Sequence, residues 1–170
     1  MKKALLGLSV LTLGSLLVLL HGQTANTLRS QLVGTWRLVS AIQHLADGTV
    51  RPDPQTGPKG VGYLIYTDAG RVCVVVGNPE RSRWASMQAP TEAELRNAFD
   101  GLVAYAGTFE VNEAERYVVH HIEVDRVPSS TGSDRKRFCS LSANRLVLTA
   151  APPLPTGVKE WTIVWERVGK

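Results

Sequence analysis

Few side chains in this 170-residue sequence have the types and spacing that chemistry requires. His120 and His121 stand side by side inside the run Tyr117-Val118-Val119-His120-His121-Ile122-Glu123-Val124. Adjacent histidines invite a metal or an acid–base pair. On a strand, however, neighbours point to opposite faces, so the two cannot share one ion and at most one can enter an interior. His44 lies in a turn-rich region and no further ligand follows at metal spacing, so no metal is expected. An inward histidine serving as a polar contact in an apolar pocket is the better reading. His121 is our choice for it, together with Tyr66.

Nucleophilic chemistry finds less. There is no Gly-x-Ser-x-Gly elbow, and neither cysteine has a cationic partner that spacing guarantees. Glu123 and Asp125 share a strand face but fall near its end, where water is expected. No phosphate-binding glycine loop occurs. No catalytic residue and no cofactor is therefore assigned. Arg137 could pair with a ligand carboxylate, although an exposed sheet arginine is the commoner case. Tyr63, Tyr66, Trp84, Tyr105, Trp161 and Trp165 are large amphipathic side chains of the kind that line pockets when they point inward.

The elements that must position these groups are mostly strands. In Gly34-Thr35-Trp36-Arg37-Leu38-Val39-Ser40, alternation puts Trp36, Leu38, Ser40 and Ile42 on one face and Arg37, Val39 and Ala41 on the other. Residues 43–62 are dense in Pro, Gly and Asp-Gly, a loop with a possible strand stub at Thr49-Val50-Arg51. Residues 62–76 read as a hairpin about Asp68-Ala69-Gly70. A helix is predicted over about 91–106, opened by a Thr91/Glu94 capping box and closed by Gly107, with Leu95, Ala98, Phe99 and Leu102 on one face. Strands resume at Thr108 and continue to a last strand over 158–168. There Trp161, Ile163, Trp165 and Arg167 share a face. Eight or nine strands with short connections and no βαβ alternation predict a mainly β, antiparallel fold. To protect its edges it is expected to close into a barrel or fold into a sandwich, and the barrel is our choice.

Residues 1–25 have another character: Lys2 and Lys3, then an uncharged apolar run to Leu20, then a small polar stretch. This is the layout of a secretory leader, with an uncleaved anchor as the alternative. Export to the periplasm or medium is expected, with membrane contact only if the leader stays. The formal charge of +4 includes Lys2 and Lys3. The remaining bias is too small to imply a nucleic-acid partner. Cys73 and Cys139 read equally as buried thiols or as one disulfide. Oligomeric state is not legible.

Several blocks resemble, in the same order, the lipocalin-like domain proteins of bacteria and fungi. They are the run from Leu32 to Ser40, Gly62-Tyr63-Leu64-Ile65-Tyr66-Thr67 with Asp68 and Gly70-Arg71, Ala104 to Val111, His120-His121-Ile122-Glu123, and Thr162-Ile163-Val164-Trp165-Glu166-Arg167. The resemblance spans residues 31–168 and implies an eight-stranded barrel with a pocket for a small apolar molecule. It further implies that Gly34 and Trp36 form the closed end, with Arg167 over the tryptophan, which would leave Ile163 and Trp165 lining the lumen. The resulting expectation is a binder of a small hydrophobic ligand, held by apolar burial and oriented by Tyr66 or His121. The alternative is an isomerase or cyclase using a His or Tyr as acid or base in the same pocket.

Overall fold

The computed structural model describes residues 27–169; the leader assigned to residues 1–25 lies outside them. Nine strands follow one another: β1 Gly34–Leu45, β2 Val50–Pro52, β3 Val61–Tyr66, β4 Arg71–Gly77, β5 Leu102–Asn112, β6 Tyr117–Asp125, β7 Asp134–Ser142, β8 Arg145–Ala150 and β9 Val158–Arg167. Two helices accompany them, α1 Leu28–Leu32 and α2 Glu92–Asp100. Every pairing is antiparallel, and β9 returns to β1, closing eight strands into a barrel with β2 as an extra edge strand. Closure removes the two free sheet edges that a meander of this length would otherwise present.

The barrel has one plugged end. α1 lies across it, with Leu28 and Leu32 buried. Its first turn is held by the Thr27 hydroxyl, which accepts from the Ser30 N–H, and by Glu113, whose carboxylate accepts from the Leu28 and Arg29 N–H groups at 2.6 and 3.0 Å. Sequence patterning did not predict this helix, because five residues are too few to show a helical period. Trp36 lies beneath it, wholly buried, and its Nε1–H donates to the Leu32 carbonyl at 2.8 Å. The Arg167 guanidinium covers the indole at 4.1 Å and donates to the carbonyls of Val33 and Gln31. Gly34 makes this possible: its φ is +135°, and a Cβ there would stand 2.6 Å from Arg167 Nη1. Gly34→Ala should therefore lower the unfolding free energy by about 1–3 kcal/mol, through backbone strain and displacement of Arg167. Thermal melts of the two proteins would check this, and an unchanged melting temperature would show that the plug tolerates a side chain.

Two local expectations are corrected. First, α2 stops at Asp100 with Gly101 as its cap, not at 106, and residues 102–106 pair with β4 instead. The capping box does form, but none of the helix's residues is buried, so it does not brace the sheet. Gly107 serves a strand bulge between β5 and β6, where a Cβ would lie 1.9 Å from the His121 carbonyl oxygen. Second, a register shift between Leu38 and Ser40 of β1 flips the alternation. Ala41 and Gln43 consequently take the interior that patterning gave to Ser40 and Ile42. The cysteines, which the sequence left open between two buried thiols and one disulfide, are both free, and Cys139 alone is buried. Cys139 alternates with Arg137 and Leu141 on the inner face of β7. Cys73 lies between the buried Val72 and Val74 of β4, so it points outward. The barrel wall separates the two thiols. Burial pushes the Cys139 thiol up to about 12, so native protein should take up one alkyl group from iodoacetamide, at Cys73, and two when unfolded. Intact-mass measurement reads the count directly.

Candidate functional site

Away from the plugged end the lumen opens into a cavity of about 780 Å³. Its walls carry Leu38, Leu64, Val74, Val76, Leu148 and Ile163, all inward by strand alternation. The 151–155 loop and the Asp53–Thr56 turn border it as well. The volume falls in the range of pockets that enclose small organic ligands.

Ile163 and Trp165 lie on this wall, as does Trp161 two residues before Ile163. Tyr66 faces inward like Leu64 but packs in the core at the plug end, below the cavity and fully buried, with its ring edge-on to Phe109 at 4.7 Å. His121 faces the other way. It is on the outer surface, its Nδ1 2.7 Å from Asp134 Oδ1 and its Nε2 3.8 Å from Glu110 Oε2, so it has no path to the lumen. The inward member of the pair is His120, which is completely buried.

His120 links two tyrosines. Its Nε2 lies 2.7 Å from the Tyr66 hydroxyl and its Nδ1 3.0 Å from the Tyr105 hydroxyl. Burial, aided by Arg137 and Arg135, lowers its pKa to about 3, so the imidazole is neutral at ordinary pH. Burial likewise raises both tyrosine pKa values, which keeps the phenols protonated. A neutral imidazole offers one donor and one acceptor. The Tyr66 hydroxyl, sealed away from the cavity, has His120 as its acceptor, so we assign the lone pair to Nε2. Nδ1–H then donates to Tyr105, which lines the cavity and keeps its own O–H proton for another acceptor.

Cations cluster beside this link. β7 sends Arg135 and Arg137 inward. Arg135 lies 4.4 Å over the Tyr105 ring and pairs with Asp125 at 2.5 Å. Arg137 donates to the Lys136 carbonyl at 2.9 Å and faces the Trp161 ring at 5.9 Å. On the acidic side, Asp53 is buried and spent locally: its carboxylate accepts from the Gln43 amide and from the Gln55 and Thr56 N–H groups. Among the described residues, no group of three or more His, Cys, Asp or Glu converges as a metal site would.

A family model described as a lipocalin-like domain matches residues 33–168. The chain belongs to the lipocalin-like domain family. No curated protein and no solved structure matches it. In this lipocalin-like barrel the Gly34–Trp36 step, the covering arginine and the open lumen form one unit: the plug fixes one end, and the inward positions of the strands above it define the cavity. His120 is the cavity residue that sequence reading passed over, whereas Tyr105 and Arg137 were named only as candidates of their type and both reach the cavity. Each alternates with apolar residues at i ± 2 or with other inward positions, and that was the usable signal.

Proposed function

We propose that this protein binds a small hydrophobic molecule within the barrel. The supporting observation is the cavity itself, about 780 Å³ and walled largely by aliphatic and indole side chains above a sealed end. Burial of apolar ligand surface, at roughly 25 cal/mol per Å², supplies most of the affinity. Tyr105, Trp161 and Trp165 orient the ligand from the wall. The same reading includes export: the lysines and apolar run of residues 1–25 suit a leader that delivers the domain to the periplasm or medium, where it meets its ligand.

An acid–base enzyme on the same scaffold is the second reading, and the Tyr66–His120–Tyr105 link is the observation that favours it. Against it, a histidine held neutral to about pH 3 with both nitrogens engaged is poorly matched to proton transfer near neutrality. Native mass spectrometry tests the binding reading. Protein recovered from periplasmic expression, or offered fatty acids, retinoids and aromatic dyes, should carry a mass excess that disappears on denaturation. A bare mass throughout, with no uptake, overturns it.

A further inference from the structure

The cavity holds hydrogen-bond donors without acceptors. Arg137 is the main one. It lies on the inner face of β7, and among the described residues no carboxylate pairs with it; its neighbour Arg135 has taken Asp125. Its bond to the Lys136 carbonyl uses one N–H, leaving most of the guanidinium fork unmatched by protein. Burial lowers its pKa, yet an arginine stays protonated at any physiological pH. A full charge half-buried in a largely apolar wall without a counter-ion is a costly feature for a fold to retain.

Three further donors repeat the pattern. The indole N–H of Trp161, whose ring faces Arg137, is buried without a partner, and so is that of Trp165 deeper in the barrel. The Tyr105 hydroxyl, with Nδ1–H of His120 donating to it, has its own proton to give. The complement of such a wall is a group that only accepts hydrogen bonds and carries negative charge. The planar guanidinium fork matches a carboxylate in both geometry and charge. Below and around it the lining is aliphatic, from Leu148 and Ile163 to Leu64 and Val74.

We propose that Arg137 anchors the carboxylate of an apolar monocarboxylic acid, with Trp161 and Tyr105 as supporting donors and the hydrocarbon body filling the aliphatic lumen. This rests on the binding reading above and narrows it to a ligand class. Arg137 pairs across the sheet with Ala150, where the 151–155 loop begins, so the head group sits on the loop side and the tail runs toward the plug.

The test uses the full chain as the host processes it, with two fluorescent probes: cis-parinaric acid and its methyl ester. Wild-type protein should bind the acid at least about tenfold more tightly than the ester, the factor expected of one charge-assisted hydrogen-bonded pair. Arg137→Met should abolish that preference while holding the ester within about twofold of wild type, since apolar burial is unchanged. Arg137→Gln, which keeps polarity but not charge, should behave in the same way. Equal binding of acid and ester by wild type, or an undiminished acid preference in either variant, overturns the Arg137 assignment and leaves the apolar-pocket reading standing. Failure of both probes to bind overturns the two together.

Discussion

Replacing Trp36 with alanine should lower the free energy of unfolding by about 3–5 kcal/mol, the range for truncating a large aromatic in a packed core. Three interactions end at once. The indole is wholly buried between α1 and the barrel floor, its N–H satisfies the Leu32 carbonyl, and its face receives the Arg167 guanidinium. The cost should exceed simple loss of burial, because Arg167 is left over a void and the α1 carbonyl loses its donor. Burial already lowers the Arg167 pKa, so an emptied floor beneath it is an unfavourable place for the charge. Trp36→Phe, which keeps the ring and drops the N–H, should recover most of the loss. Urea unfolding of the three proteins measures this. A Trp36→Ala penalty below about 1 kcal/mol would mean that α1 and Arg167 close the barrel without the tryptophan.

The second large effect is an acid sensitivity located at His120. Its folded pKa, about 3, lies below the ordinary value of 6.5, so the native site excludes a proton that the unfolded chain accepts. Between those limits the unfolded state binds more protons, and stability must fall as pH falls. The contribution is fully present above about pH 6.5 and is lost progressively below it, the loss amounting to roughly a few kcal/mol near pH 3. Carboxylates add to the acid limb, so the diagnostic is a comparison. His120→Gln can still bond to both tyrosines but cannot take up a proton, and its stability should decline more gently between pH 6.5 and 4. Parallel curves for the two proteins would place the acid sensitivity elsewhere. At neutral pH, His120→Leu should be the more damaging change, since it orphans two buried phenols at about 1–3 kcal/mol each.

The relation between these two sites shows what could be read in advance. The place of Trp36 at the closed end under Arg167 was legible through the resemblance to lipocalin-like domain proteins, while its strand alternation alone put it only on one face with Leu38. His120 was just as accessible, since its i ± 2 neighbours Val118 and Ile122 are both apolar and buried. His121 alternates with Val119 and Glu123, a mixed set that indicates an outer face. His121 was the expected pocket contact, and the strand's own period instead puts His120 inward. Arg137 carried a comparable signal, alternating with Cys139 and Leu141. Its charge argued for the surface, and only an enclosed cavity makes an inward arginine reasonable.

The chain's own patterning determined the class of structure: period-two alternation, turn residues at short intervals and the absence of crossover helices point to an antiparallel all-β barrel or sandwich, and the pairing of β1 with β9 decides for the barrel. These signals are local, because each depends on residues a few positions apart. The leader-like start, the hairpin about Asp68–Gly70 and the Thr91 capping box are of the same kind. What tertiary structure decided is every feature set by the meeting of distant segments. The bulge that turns Ala41 and Gln43 inward arises from the match of β1 to β9, more than a hundred residues apart in sequence. The stop of α2 at Asp100 follows from the pull of residues 102–106 into pairing with β4, which outweighs their helical spacing. The Tyr66–His120–Tyr105 link and the unpaired Arg137 exist only because β3, β5, β6 and β7 curve around one enclosed volume. Inside such a volume, which groups have partners is decided by the closed barrel and not by any one strand.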